Sequence, residues 1–225
     1  MTGGQLADVL EGRVADPGWL ADAVDRVARD PDAVATLFPA AGRRCGRGPL
    51  PGPDSQPGNA GWTVDDAARV LLLTALPLHG PELAAQVDAL YRHGGADEKR
   101  AVLRALPLLD LGAAGVEILH DALRTNDTRL VAAAVGPCAR QLGDAMWRQA
   151  VLKCVFMDIP LTAVADLDRR ADGELGRMLA DLAAERHAAG RSLPEDAGVL
   201  LALIGDLPGR GDPADRQDQR DGKAR

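Results

Sequence analysis

One helix-compatible segment carries donor atoms of the kind that bind metals. Glu117, His120 and Asp121 stand at i, i+3 and i+4, so a helix places them on one face, and Arg124 extends that face. A Glu-x-x-His pair suits a metal when other helices supply further carboxylates. The sequence has no second pair of this kind, so a solvated polar face with local ion pairs is the favoured interpretation. We therefore predict no metal site and no cofactor.

Nucleophilic chemistry is the second possibility, and the cysteines are its candidates. Cys45, Cys138 and Cys154 are widely spaced and include no Cys-x-x-Cys pair, which argues against a thiolate zinc site. Cys138 and Cys154 lie on apolar stripes, where cysteine behaves as a small hydrophobic residue, and no histidine is near them in sequence. Gly-x-Ser-x-Gly and phosphate-binding glycine motifs are also missing. We predict no catalytic residues.

Anion or partner binding is the third possibility. Lys153 falls in a helix wrapped by apolar residues, so it must reach solvent, pair with a carboxylate or line a cavity. A charged cluster precedes the next long helix, and arginine forks bind carboxylate or phosphate. A surface ion-pair network is the blander interpretation, and the sequence favours it. The binding candidates are Lys153, Asp168, Arg169, Arg170, Arg177 and Asn126.

Composition indicates which elements position these residues. The chain has 225 residues, 46% of them hydrophobic but only 3% aromatic, and alanine and leucine dominate. That balance favours helix over sheet, and the length allows a sizeable core. The net charge of −7 argues against nucleic-acid binding and against adsorption to an anionic membrane. No signal peptide or bilayer-spanning run is evident, so a reduced, cytoplasmic location without membrane insertion is expected.

Four segments follow from the distribution of proline, glycine and charge. Residues 1–38 predict N-terminal helices, and residues 39–61 predict a flexible Pro/Gly linker. Residues 62–204 predict the main helical domain, and residues 205–225 a disordered tail. Within the domain, helix starts are predicted by a box-like pattern of Thr63 with Asp66, by Asn126, and by Asp172.

A weak internal repeat indicates how the helices are arranged. Pro77, Pro107 and Pro137 recur every 30 residues, and each follows an arginine by seven or eight positions. These arginines are Arg69, Arg100 and Arg129. Helical hairpins at such a period stack because one hairpin cannot bury its own apolar face. We predict an all-α fold of stacked αα-hairpins, a HEAT-like or irregular α-solenoid, with a plain helical bundle as the alternative.

The C-terminal part of the chain resembles the EboA family. The resemblance covers about residues 62–200 and is most specific over 147–191. It rests on Thr125-Asn126, Trp147 with Val151-Leu152-Lys153, Pro160-Leu161, Leu167-Asp168-Arg169-Arg170, Glu174-Leu175 with Arg177-Met178-Leu179 and Asp181, and Glu185-Arg186 with Ala188-Ala189-Gly190-Arg191. His187 stands where many relatives place an aromatic residue.

The resemblance implies a place in a bacterial gene cluster. That cluster also encodes a UbiA-like membrane prenyltransferase, a TatD-like hydrolase and sugar-isomerase-like barrels, and in cyanobacteria it is linked to export of secondary-metabolite precursors. No reaction and no catalytic residue carry over from the family. Two hypotheses remain open. One is a non-catalytic helical adaptor for proteins of the cluster, the prenyltransferase among them. The other is a small-molecule-binding enzyme of the same pathway with a pocket near Lys153 and Arg169.

Overall fold

The computed structural model describes residues 3–50 and 61–206. Those residues form twelve α-helices joined by turns and short 3₁₀ segments and contain no β-strand, which confirms the predicted all-α class. The helices are α1 (Gly3–Leu10), α2 (Pro17–Arg29), α3 (Val34–Arg44), α4 (Val64–Thr74), α5 (Gly80–His93), α6 (Ala96–Ala105), α7 (Ala113–Arg124), α8 (Thr128–Ala134), α9 (Asp144–Phe156), α10 (Leu167–Arg170), α11 (Gly173–Ala188) and α12 (Glu195–Gly205).

The helices divide between two compact units. The N-terminal unit runs to Ala150 and includes Thr162–Ala165. The C-terminal unit comprises Val151–Leu161 and the chain from Asp166 onward. Helix α9 therefore begins in one unit and ends in the other.

Two rows of helices build the N-terminal unit. Helix α4 packs against α6, and α6 packs against α8, while α5 packs against α7 in the second row. Helices α1, α2 and α3 also pack on α4, which makes α4 the most enclosed helix of the unit. Nine of its eleven residues are buried, including Asp65, Asp66 and Arg69.

The repeat that the prolines indicated coincides with one row. Pro77 follows α4, and Pro107 and Pro137 lie in the 3₁₀ segments after α6 and α8. The three helices that precede these prolines are thus the ones that pack side by side. The HEAT-like description of this row stays a prediction.

Side-chain caps set several helix starts, and one prediction needs correction. Asp66 accepts the backbone N–H of Thr63 at 3.2 Å in a capping box, as the sequence predicted. Asp172 accepts the N–H of Leu175 at 3.0 Å, which is also the predicted cap. The cap of α8 is Asp127 rather than the expected Asn126, because the Asp127 carboxylate reaches the N–H of Arg129 at 2.9 Å.

The predicted linker is partly helix. Helix α3 continues through Pro39 to Arg44, inside the segment 39–61 that the sequence predicted to be a linker. Proline removes one helical hydrogen bond, but the helix packs on α4 and buries Phe38 and Ala41, which offsets that loss. Farther along, Leu50 donates its N–H to the carbonyl of Trp62 at 2.8 Å. Residues 39–44 of the predicted linker are therefore helical, and its residues 51–60 lie outside the described residues.

The C-terminal unit is built on α11 and α12, which pack together. Gly176 of α11 lies so close to Ile204 of α12 that a Cβ at Gly176 would fall 2.7 Å from Ile204 Cγ2. Asp196, in the first turn of α12, accepts the N–H of Leu161 at 2.7 Å. Helix α12 ends at Gly205, the first residue of the predicted tail 205–225, and the part of that tail from 207 onward lies outside the described residues.

Candidate functional site

Lys153 occupies a half-buried position in the part of α9 that belongs to the C-terminal unit. Among the described residues, no ion pair joins its ammonium to Asp168, and Arg169 pairs with Asp166 instead. It lies beside Cys154, whose thiol it influences electrostatically. The proposed convergence of Lys153 with the arginines on one pocket therefore stays a prediction without a described contact to support it.

The remaining candidates of this unit are mostly exposed. Asp168 and Arg169 are exposed on the single turn of α10, and Arg170 on the same turn is half-buried. Arg169 is 77% exposed and reaches Asp166 only at 3.9 Å. Arg177 is 71% exposed and pairs with Glu174 one turn earlier on α11. Because both ion pairs are local, they leave these guanidinium groups open to a partner.

Asn126 does not belong with the other candidates. It is exposed in the N-terminal unit, immediately before the cap of α8. Its side chain therefore has neither the predicted capping role nor a described link to the charged residues of the C-terminal unit.

Large apolar side chains are also exposed on the C-terminal unit. Phe156, at the end of α9, is 68% exposed. Val199 and Leu203, four residues apart on α12, share one face of that helix and are more than half exposed. Contiguous exposed apolar area indicates an interaction surface, and Val199 with Leu203 is the pair that one helix face brings together. We call Phe156, Arg169, Arg177, Val199 and Leu203 the exposed set.

Arg186 gives the family-like Glu185-Arg186 segment a structural role. Its Nη1 donates to the carbonyl of Val155 at 2.9 Å, and its Nη2 pairs with Asp158 at 3.2 Å. Val155 is near the end of α9, where a helix leaves carbonyl groups without partners in the helix. The arginine therefore caps α9 and holds α11 against it.

The main charged cluster lies elsewhere, in the N-terminal unit, and the sequence did not predict it as a cluster. Asp66 of α4 is fully buried and accepts Nε of Arg100 at 3.1 Å. The same carboxylate accepts a hydrogen bond from Arg104, whose guanidinium also lies over the ring of Trp62. Both arginines come from α6, so Asp66 joins α4 to α6.

A second pair extends this cluster toward α3. Arg69 donates from Nη1 to Asp65 at 2.5 Å and from Nε to the carbonyl of Phe38 at 3.1 Å. Burial alone would raise the pKa of Asp65, but hydrogen bonds from Thr63 and Arg69 outweigh burial and lower that pKa below its ordinary value. We call Asp65, Asp66, Arg69, Arg100 and Arg104 the buried network.

The same pairing continues outward with more exposure. Asp97 at the start of α6 accepts Arg129 of α8 at 3.3 Å, and Arg129 also holds Asp127 at 2.9 Å. In the row α4, α6 and α8, an arginine of one helix thus pairs with an aspartate of the previous helix of the row. Arg100 and Arg104 of α6 reach α4, and Arg129 of α8 reaches α6. Two of the three recurring arginines, Arg100 and Arg129, form this arrangement, whereas Arg69 pairs with Asp65 of its own helix.

The helix face of Glu117, His120 and Asp121, for which the sequence favoured a polar role with local ion pairs, makes contacts through Asp121. Asp121 of α7 accepts the hydroxyl of Tyr91 at 3.0 Å, which joins α7 to α5, and it lies 3.7 Å from Arg124. In the portion of the chain that the structure describes, no group of three or more His, Cys, Asp or Glu side chains is placed to hold a metal ion.

The three thiols are buried, and burial raises the pKa of each. The pKa of Cys45 rises to about 11, with a further contribution from Asp16, and the pKa of Cys138 also rises to about 11. The pKa of Cys154 rises to about 12. Because the thiolate is the nucleophile, these groups are unreactive at neutral pH, as expected for small hydrophobic residues.

Comparison with known proteins assigns the chain to a family. A family model described as metabolite traffic protein EboA matches residues 54–201, which is most of the chain. No curated protein and no solved structure matches the chain. Among the helices of residues 3–50 and 61–206, none combines the length and the hydrophobicity that crossing a membrane requires.

Proposed function

Because the chain belongs to the EboA family, we propose that it acts in metabolite traffic as a non-catalytic helical adaptor. Its partners would be proteins of an Ebo-type cluster, including the UbiA-like prenyltransferase, and its place would be the cytoplasmic side of that pathway. The observation that carries the proposal is the exposed set, which offers two locally paired arginines together with three uncovered apolar side chains.

The chemistry of the exposed set favours a partner protein with acidic side chains beside apolar surface. Arginine is enriched in protein interfaces because its guanidinium pairs with carboxylates in a fork and its stem packs on apolar groups. Phe156, Val199 and Leu203 supply the apolar area. The charges of the buried network are occupied in holding helices together, which supports a scaffolding use of the N-terminal unit.

The test is capture of cluster proteins by the purified full-length chain. We expect the wild-type chain to retain at least one of them, and Arg169→Glu with Arg177→Glu to weaken retention about 10-fold or more, since like charges then face the acidic partner. Val199→Ser with Leu203→Ser is expected to have a similar effect through lost apolar contact.

The matched control is Arg26→Glu with Arg29→Glu on α2, two exposed arginines of the N-terminal unit. This variant carries the same change in net charge and is expected to retain the partner. Equal loss in both charge variants would mean that net charge, not the exposed set, governs capture, and the proposed docking residues would then be wrong.

A further inference from the structure

Two guanidinium groups converge on a bare patch of α3 at Gly42. A Cβ built on Gly42 would lie 2.9 Å from Nε of Arg47 and 3.2 Å from Nη2 of Arg69. Both groups can approach this point only because Gly42 has no side chain. Like charges held this close repel each other unless an anion lies between them or beside them.

The donors of Arg69 are only partly used. Its Nε donates to the Phe38 carbonyl, and its Nη1 donates to Asp65. Its Nη2 takes part in neither of these hydrogen bonds and lies 3.2 Å from the position of a Cβ built on Gly42. This guanidinium is almost completely buried, so its position is fixed before any ligand arrives.

Among the described residues, Arg47 has no carboxylate partner. Arg44 has Asp16 at 3.7 Å, and Arg69 has Asp65 at 2.5 Å. Arg47 is exposed and forms no ion pair or hydrogen bond with any residue that the structure describes. One fixed donor and one exposed cation therefore lie close to the same point, the position of a Cβ on Gly42.

We propose that Arg47 and Arg69 form a binding site for the oxyanion of a small molecule, a carboxylate or a phosphate, beside Gly42. Arg69 Nη2 supplies an immobile donor, and Arg47 supplies a second guanidinium that adjusts to the ligand. Charge-assisted hydrogen bonds to two guanidiniums are among the strongest polar contacts that a protein makes. The site lies in the N-terminal unit, goes beyond the adaptor role and does not depend on the exposed set.

Titration of the full-length chain with inorganic phosphate, and separately with acetate, tests this site by calorimetry and by amide chemical shifts around Gly42. We expect saturable binding of at least one anion. Arg47→Ala should weaken it about 10-fold or more, as loss of a hydrogen bond to a charged group predicts. Tighter binding of phosphate would assign the site to phosphorylated ligands, and tighter binding of acetate to carboxylates.

Arg43→Ala is the matched control, because Arg43 is an exposed arginine of α3, the helix that carries Gly42. It removes one positive charge and should leave binding unchanged, while Arg47→Lys should retain part of it. Equal weakening by Arg43→Ala and Arg47→Ala, or no saturable binding of either anion, would overturn the proposal. Arg47→Ala is expected to leave partner capture intact, so failure of this site and failure of the adaptor role are distinguishable.

Discussion

At the scale of single residues, Asp66 joins two arginines of α6 to α4. Its carboxylate meets Arg100 and Arg104 and also accepts the backbone N–H of Thr63. The side chains of both arginines are nearly buried, with 9% and 12% of their area exposed. Without the carboxylate, Arg104 would lose its ion pair, and Arg100 would keep only its pair with the partly exposed Asp97 at 3.2 Å.

We therefore expect Asp66→Asn to lower the free energy of unfolding by about 3 kcal/mol, since removing one member of a buried ion pair leaves its partner uncompensated. Urea denaturation measures the change. Asp88→Asn is the control, because Asp88 pairs with Arg92 on the exposed side of α5, where the expected loss is below about 1 kcal/mol. Similar losses in the two variants would contradict this account of the buried network.

Asp65 predicts a dependence of stability on pH. Its folded pKa is lowered relative to the unfolded chain, so its charge stabilises the fold above its ordinary pKa of about 3.9. This stabilisation is lost as pH falls through the lowered folded pKa. We expect the stability difference between wild type and Asp65→Asn to be constant from about pH 7 to 5 and to shrink below about pH 4. Urea midpoints across that range measure it, and a difference that grows on acidification would disprove the assignment.

The sequence could predict the contacts of the buried network that join residues close together in the chain, but not those that join distant residues. Thr63 with Asp66 is a local pattern, so the sequence predicted the cap correctly. The recurrence of Arg69, Arg100 and Arg129 was also visible. The pairing of Arg100 with Asp66 spans 34 residues, however, and helical periodicity does not tell which neighbouring helix a side chain meets. The sequence pattern of Asp65 and Asp66 is that of any acidic first turn.

At the scale of elements, α11 and α12 pack so closely at Gly176 that a side chain there has no room. Gly176 brings Ile204 within a distance that leaves no space for a methyl group. The sequence predicted the start of α11 from Asp172 but not this contact, because a glycine within a helix carries no apolar signal. The sequence also predicted that the helix ends before Pro39, because proline disfavours a helix interior. Packing on α4 nevertheless continues α3 to Arg44.

Gly176→Ala is expected to destabilise the C-terminal unit by about 1 kcal/mol. Overpacking costs about 1–3 kcal/mol, and the better helix propensity of alanine returns up to about 1 kcal/mol. Hydrogen exchange of the α12 amides measures the effect. Gly198→Ala in α12 is the control, because its Cβ would meet nothing within 4 Å, and alanine there should increase protection. Increased protection in both variants would show that α12 shifts to accept the methyl group.

At the scale of the whole molecule, the family match and the packed unit do not have the same boundaries. The match begins at residue 54, yet α1, α2 and α3 all pack on α4. Phe38 of α3 is buried, and its carbonyl accepts Arg69. The helices before the matched region are therefore part of the fold rather than an appendage.

A chain that lacks residues 1–45 should lose stable tertiary structure, because the apolar face of α4 and the Arg69 guanidinium would become exposed. We expect reduced helical circular dichroism, a broad thermal transition and fast hydrogen exchange in α4. Phe38→Ala in the full-length chain should show the same direction with a smaller loss, about 3 kcal/mol or more. Native-like protection of α4 in the shortened chain would show that α1, α2 and α3 are dispensable.

The short antiparallel pairing that follows α3 has a consequence for protein engineering. The carbonyl of Gly48 accepts the N–H of Val64 at 2.9 Å, and the N–H of Leu50 donates to the carbonyl of Trp62 at 2.8 Å. These bonds hold the two chain segments side by side. The entropy of closing a loop grows only with the logarithm of its length, by about 0.6 kcal/mol per doubling. A segment inserted between two such fixed ends, for example a fluorescent reporter or an affinity tag, is therefore expected to cost little entropy.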